Sequence, residues 1–339
     1  MASEPIASWT KHRDWRSLVA PYERKSDWRA AVQVGITLLP LFGLFALMNL
    51  ALDVSYWLTL ALAVPAAGLL VRTFIIMHDC AHGSFFSSRG INGAVGWITG
   101  VLTMTPFAQW RRDHAIHHAS SGDLDRRGHG DVDTLTVREF RKLPARARWK
   151  YRLYRNPFVL FGLGPIHMML TSRLRNRGAK LNDAETRSVW STNAGIAVLF
   201  VAAALIVGWR EALLIYVPSI YIAAAVGIWL FYVQHQFEET YWKPHPDWDY
   251  LDASIRGSSY LKLPRVLRWF TGDIGVHHVH HLSPRIPNYR LQQCHDANPL
   301  FHEVTTLTIV DAFRMLRLAL WDEDRQQLVP FSEVRLTVG

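Results

Sequence analysis

The sequence predicts an all-α integral membrane protein: four transmembrane helices in two hairpins, with a cytoplasmic helical cap carrying the histidine boxes. Three observations predict it. Four apolar runs have the roughly 20-residue length that crosses a bilayer, Lys and Arg mark one side of those runs, and histidines recur at helical spacing on that same side.

The chain has 339 residues, 50% apolar and 19% charged, with 37 Lys and Arg against 28 Asp and Glu for a net +9. That apolar content excludes a disordered tail or a disulfide-stapled miniprotein. A mean hydropathy of +0.04 fits either a soluble enzyme or long apolar segments averaged with charged ones, and the distribution selects the second. Cys80 and Cys294 stand far apart, which points to a reducing compartment rather than a disulfide framework.

Residues 1–29 are polar, without the apolar core and small-residue site of a cleaved signal peptide, so none is expected. Residues 30–52 form the first span, and 56–77, with Arg72 as its one charge, form the second. The stretch 91–110 holds three glycines and Pro106 and ends beside Arg111 and Arg112, so it is expected to be interfacial or re-entrant. Residues 111–155 carry 12 Lys or Arg and read as an aqueous loop. The short apolar run 157–170 suits a helix lying on the membrane surface or packed on the loop domain. Residues 189–207 and 212–233 are the third and fourth spans, separated by Gly208, Trp209, Arg210 and Glu211. The remainder is polar, and the whole of 1–339 is expected to form one domain.

The basic residues orient this arrangement. Of the 37, Arg210 falls in an outer turn and Arg72 inside a span, leaving 35 on the side of both termini. Segments 1–29, 111–188 and 234–339 are therefore expected in the cytoplasm of a multi-pass protein. Orientation and anionic lipid account for the positive charge, so membrane lipid replaces nucleic acid as the expected partner.

Nine of the 16 histidines are patterned. His78 and His82 lie in HDCAH after the second span; His114, His117 and His118 lie in HAIHH; His277, His280 and His281 lie in HHVHH. Spacings of three and four place side chains on one helix face, so each cluster is expected to aim its imidazoles at one point. A lone histidine at a membrane end is ordinarily an interfacial polar residue, and His235 joins the set only through its placement at the end of the fourth span. His278 lacks a histidine at 282 to complete its register and reads as a bystander. His12, His129, His167, His245, His295 and His302 follow no pattern and are assigned to loops or surface contacts.

Eight or nine imidazoles exceed the three protein ligands of a catalytic zinc, so two metals are the economical count. Imidazole suits iron, copper, zinc and nickel alike. The absence of a Glu-x-x-His pair argues against a carboxylate-bridged site of the ferritin-like kind.

The phrases HDCAHGSFF, RRDHAIHHASSGDLDRRG, QHQFEETYW and GVHHVHHLSPRIPNYRL resemble the membrane fatty acid desaturases, particularly bacterial acyl-lipid or omega-6 (delta-12 type) members, over about residues 30–300. The resemblance implies two non-haem iron ions, O2 as co-substrate, electrons from a reduced carrier, and removal of two hydrogens from an acyl chain linked to lipid, CoA or a carrier. Carried over by position, the metal ligands are His78, His82, His114, His117, His118, His277, His280 and His281, with His235 as the ninth. No further catalytic residue is assigned. No cytochrome b5-like domain is expected at either end, so the donor is expected to be separate, a ferredoxin or a cytochrome b5-like protein, and the setting a bacterial inner membrane.

Asp79, Asp113 and Asp273 stand near ligands and could accept from a second ring nitrogen. Arg111, Arg112, Arg126 and Arg127 could meet lipid phosphates, a phosphopantetheine carrier or an acidic donor, although snorkelling explains them equally well. An intramembrane zinc protease is a rival reading of HDCAH, but that motif needs a Glu where Asp79 stands and leaves the six histidines of the other two clusters unused. A fatty acyl hydroxylase, a carotenoid ketolase or hydroxylase, and a membrane metal-binding protein without turnover use the same histidines.

Overall fold

The computed structural model describes residues 14–128, 132–174 and 182–334; His12 and His129 lie outside them. After a short helix α1 (Trp15–Val19), two long helices follow, α2 (Asp27–Leu52) and α3 (Tyr56–His82). The second pair is α9 (Asp183–Val207) and α10 (Trp209–His235), and all four are long and apolar enough to cross a membrane, with mean hydropathy from 1.9 to 2.1. The molecule is thus predominantly helical, as the sequence predicts. Each helix outruns its apolar stretch at one end or both, and side-chain caps set three of the four starts. Ser26, Ser55 and Asn182 cap the starts of α2, α3 and α9. α3 runs past Met77 through both histidines of HDCAH and stops at Gly83, whose φ of 65° permits the left-handed turn.

That continuation positions the site. At 1.5 Å per residue, residues 56–77 cover about 33 Å, near the hydrocarbon thickness. His78 and His82 therefore stand on the one to two turns that emerge from it. α3 is also the most enclosed span, with small residues Ala63, Ala66 and Ala67 buried in its contact with neighbouring helices. Arg72, the charge within that span, is satisfied internally: its Nε donates to Thr37 Oγ1 (3.1 Å), its Nη1 donates to the Trp269 carbonyl, and its guanidinium lies 4.3 Å from the Trp269 ring.

The stretch 91–110 does not form one element. It breaks into α4 (Arg89–Leu102) and α5 (Phe107–Ser120), joined by a tight turn in which Met104 adopts φ 56°. The break works because Gly96 and Gly100 let α5 fold back closely: a Cβ at Gly96 would lie 2.3 Å from the Phe107 ring, and one at Gly100 2.6 Å from the Thr105 carbonyl oxygen. Gly96→Ala is expected to destabilise the protein by about 1–3 kcal/mol through overpacking. Thermal unfolding in detergent measures this, and Phe107→Leu should restore part of the loss; an unchanged midpoint would contradict the packing described.

Residues 111–155, expected as a loop, contain the rest of α5, then α6 (Val137–Lys142) and α7 (Ala145–Tyr154). The apolar run after them forms a π-helical turn at Val159–Leu163 and α8 (Gly164–Leu174). This element packs on α10, with Tyr221 Oη donating to the Gly162 carbonyl at 2.8 Å and the Phe161 ring 5.8 Å from Tyr232.

Beyond α10 come α11 (Tyr250–Arg256), α12 (Arg265–Phe270), α13 (His277–Leu282), α14 (Asn288–Ala297) and α15 (Ile309–Met315). Among the described residues, five short strands, not anticipated from the sequence, staple the cap. β1 (Leu135–Thr136) pairs in parallel with β4 (Leu318–Asp322), which pairs antiparallel with β5 (Gln327–Pro330). β2 (Tyr260–Leu261) pairs in parallel with β3 (Thr306–Leu307). Two- to five-residue strands are too short to show the alternation by which strands are read.

Candidate metal centre

Four elements distant in sequence converge where the spans meet the cap. The last turns of α3 bring His78 and His82, α5 brings His114, His117 and His118, α10 ends on His235, and α13 brings His277, His280 and His281. α13 is set in place from α10: the Gln234 side chain donates to the Ile274 carbonyl at 3.0 Å, and Leu261 N–H donates to the Gly275 carbonyl at 2.8 Å.

All nine patterned histidines fall into two groups. The first is His78, His82, His114, His118 and His280; the second is His117, His235, His277 and His281. Within each, the nitrogens available for coordination lie within 4.8 Å of one another. The expectation that each cluster aims at one point is corrected here for the second and third clusters, which divide between the groups. Helix geometry explains the split. Residues four apart lie about 40° apart around the axis, whereas adjacent residues lie about 100° apart, so His114 and His118 pair off while His117 turns to the other group. His277 and His281 pair in the same way and leave His280 to the first.

The facing nitrogens fit a cation. Nε2 to Nε2 separations are 3.1 Å for His78–His280, 3.0 Å for His280–His118, 3.1 Å for His118–His114, 3.0 Å for His277–His235 and 3.3 Å for His117–His281. Nitrogens about 2.1 Å from a shared first-row metal ion stand about 3.0–3.4 Å apart. The tautomers agree. His78 Nδ1 lies 2.9 Å from Asp79 Oδ1, and His235 Nδ1 lies 2.9 Å from the Gly257 carbonyl oxygen. Both acceptors require N–H at Nδ1, which leaves Nε2 as a lone pair aimed inward. His280 Nε2 faces two imidazoles and has one proton at most, and His82 Nε2 is buried without a hydrogen-bond partner. Converging lone pairs in a buried site are stable only with positive charge between them.

Burial, reinforced by mutual repulsion among the rings, holds the His114, His118, His277, His280 and His281 imidazoles well below the usual histidine range, hence neutral and ready to coordinate. The sign of the consequence is fixed. The unfolded chain protonates these rings below its own pKa near 6.5 and the folded chain resists, so metal-free protein is expected to lose stability as pH falls below about 6.5. A pH series of thermal midpoints in chelator checks this; a flat profile between pH 7.5 and 5 would refute it.

Apolar rings wall the groups. Trp110 stacks on His114 at 4.3 Å and 22°, and Phe231 lies 5.1 Å from His117 and 5.3 Å from His235. Sequence reasoning missed both, yet each stands four residues before a patterned histidine on the same helix, the spacing that would have exposed them. A cleft lined by Val132, Phe231, His235, Gln236, Thr240 and Trp242 opens on the second group.

Of the three aspartates, only Asp79 touches a patterned histidine. Its other oxygen accepts from Asn288 N–H at 2.6 Å, tying α3 to the start of α14. Asp113 instead pairs with Arg112 (2.8 Å) and Asp273 with Arg268 (2.7 Å), each partner being a cation on the carboxylate's own local segment. Arg112 also binds Glu185 at 2.7 Å and Arg127 binds Glu139 at 2.6 Å, so both are taken up within the protein. Arg126 lies 2.8 Å from His245 Nε2, and the Arg111 guanidinium lies over the Phe107 ring. His278 belongs to neither group: its Nε2 lies 3.1 Å from His295 Nδ1. His295, assigned above to a loop or surface, is buried on α14, with the His302 ring 4.9 Å away. His245 lies 2.7 Å from the buried carboxylate of Asp123, and His167 is exposed on α8.

Four membrane-capable helices bearing a buried double cluster of imidazoles define a membrane protein able to hold metal in a histidine-only site. A sequence profile described as fatty acid desaturase matches residues 54–305. The chain belongs to the fatty acid desaturase family, whose members are oxidoreductases. It is 45% identical to a fatty acid desaturase of Bacillus subtilis over 99% of this chain and 94% of that protein. It is 30% identical to the sn-1 oleoyl-lipid 12-desaturase of Synechocystis, over 81% of this chain and 76% of that one. The chloroplastic omega-6 fatty acid desaturase of Arabidopsis thaliana shares 28% identity over 72% of this chain and 54% of its own length.

Proposed function

We propose that the protein inserts a cis double bond into a lipid-linked or carrier-linked acyl chain by O2-dependent dehydrogenation, with two non-haem irons held by His78, His82, His114, His118 and His280 and by His117, His235, His277 and His281. The carrying observation is the pair of converging imidazole groups at the ends of the membrane helices. Bound iron would supply the oxidising power that an unactivated methylene C–H bond demands.

The chain's own residues do the rest. Asp79 and the Gly257 carbonyl fix two rings with Nε2 inward, which sharpens ligand direction and basicity. Trp110 and Phe231 keep water from the rings they cover. Removing two substrate hydrogens while O2 becomes two waters consumes two electrons, delivered one at a time by a separate reduced carrier, a ferredoxin or cytochrome b5-like protein, and two protons taken from water.

The Synechocystis and Arabidopsis relatives support delta-12, omega-6 regiochemistry, and the lopsided basic residues support a bacterial inner membrane with the cap and both termini in the cytoplasm. Expression in a host that makes monounsaturated but no polyunsaturated fatty acids tests the reading. New dienoic chains with the second double bond at carbon 12 are expected when iron and donor are supplied. An unchanged lipid profile would exclude desaturation, and hydroxylated chains would move the assignment to a hydroxylase.

A further inference from the structure

The positive charge of the chain is concentrated in one place. Residues 140–182 contain 11 Lys and Arg and no Asp or Glu, so this segment carries +11 while the rest of the chain carries −2, against the total of +9. Membrane orientation explains an excess of Lys and Arg on one side, but acidic residues count little toward it. Their absence over 43 residues therefore needs another reason.

The structure divides the described part of this segment into a locked face and a free one. On the locked face, Tyr151 Oη donates to the Ala319 carbonyl at 2.7 Å, and buried Arg155 donates to Gln236 Oε1 at 2.8 Å and to the Leu318 carbonyl at 2.9 Å. These bonds fasten α7 to β4 and to the end of α10. On the free face, Arg146 and Lys150 are exposed around Trp149 and Leu153, which are 62% and 43% exposed, and Arg152 is exposed at its edge with its guanidinium 4.9 Å from the Phe331 ring. The apolar exposure continues through Phe158, at 89%, to Leu163 and Ile166, on the element that packs against α10. An indole and aliphatic side chains flanked by basic ones make an interfacial helix, and continuity with a spanning helix places this face against lipid.

We propose that the outward face of α7 binds the headgroups of anionic phospholipids. Charge complementarity selects an anion, and the apolar stripe selects a lipid over a soluble acidic protein, which would leave that stripe in water. Each basic residue near an anionic surface contributes about a fivefold preference. The proposal is independent of the metal centre and of turnover.

The test reconstitutes the full-length protein in nanodiscs of phosphatidylcholine with 30 mol% phosphatidylglycerol, extracts it gently, and counts retained lipids by mass spectrometry. Wild type is expected to retain phosphatidylglycerol at about three times its bulk fraction or more, falling as salt rises. The triple variant Arg146→Gln/Lys150→Gln/Arg152→Gln is expected to retain it near the bulk fraction, whereas Arg146→Lys/Arg152→Lys, which keeps the charge, behaves as wild type. Helix content and elution volume establish that each variant is folded. Retention at the bulk fraction by wild type, or equal enrichment in the neutralised variant, overturns the proposal. So does binding of an acidic soluble protein to this face in pure phosphatidylcholine without any phosphatidylglycerol preference.

Discussion

His235→Ala is expected to abolish desaturation and to lower bound iron from two per chain to about one. The two histidine groups share no member. Removing a ligand from the four-membered group therefore leaves the five-membered group intact, and metal analysis of the purified variant reads the difference directly. His280→Ala, from the other group, should also abolish activity and should spare the metal that depends on His235. Loss of both metals in either variant would mean that the groups act as one cluster. Retained activity in either would remove that histidine from the ligand set.

Asp79→Ala is expected to cost about 10- to 100-fold in activity or metal affinity, the range for groups that orient a metal-bound histidine. The aspartate holds His78 on one oxygen and Asn288 N–H on the other, so its loss frees both a ligand ring and the start of α14. Asp79→Asn keeps an acceptor for one of these partners but not the charge, and should fall between alanine and wild type. The readouts are iron retained after a fixed exposure to chelator and the rate of product formation. Wild-type values in both for the alanine variant would show that His78 needs no orienting partner. The same exchange at Asp113 or Asp273, whose carboxylates pair with arginines, should leave chelator resistance near wild type.

The spans were legible because length and hydrophobicity are additive properties of a segment, and the patterned histidines because a spacing of three and four survives as geometry on a helix. The division of His114 from His117 was equally implicit in that spacing, but only the meeting with α13 shows that two destinations exist. Other features had no local signature. Nothing near Asp113 distinguishes it from Asp79 until Arg112 is seen to capture it. The break between α4 and α5 depends on Gly96 and Gly100 fitting Phe107, a contact between residues whose hydrophobicity alone reads as a single stretch. Trp110 and Phe231 sit four residues before His114 and His235, but each falls inside an apolar stretch, 91–110 or 212–233, where one more apolar residue carries no signal of its own. The five short strands join segments up to 185 residues apart, as in Leu135 beside Leu320, and only the tertiary arrangement reveals them.

α3 leaves the membrane as one unbroken helix and ends on His82. Beyond Pro65, no hinge separates the part inside the membrane from the part that presents nitrogen. Spans adapt to thicker or thinner bilayers chiefly by tilting, so a change of tilt in α3 is also a displacement of His78 and His82 relative to the imidazoles on α5 and α13. The centre is in this sense calibrated against bilayer thickness. Acyl-chain length in the reconstituting lipid is consequently a variable that acts on its geometry without any contact at the site.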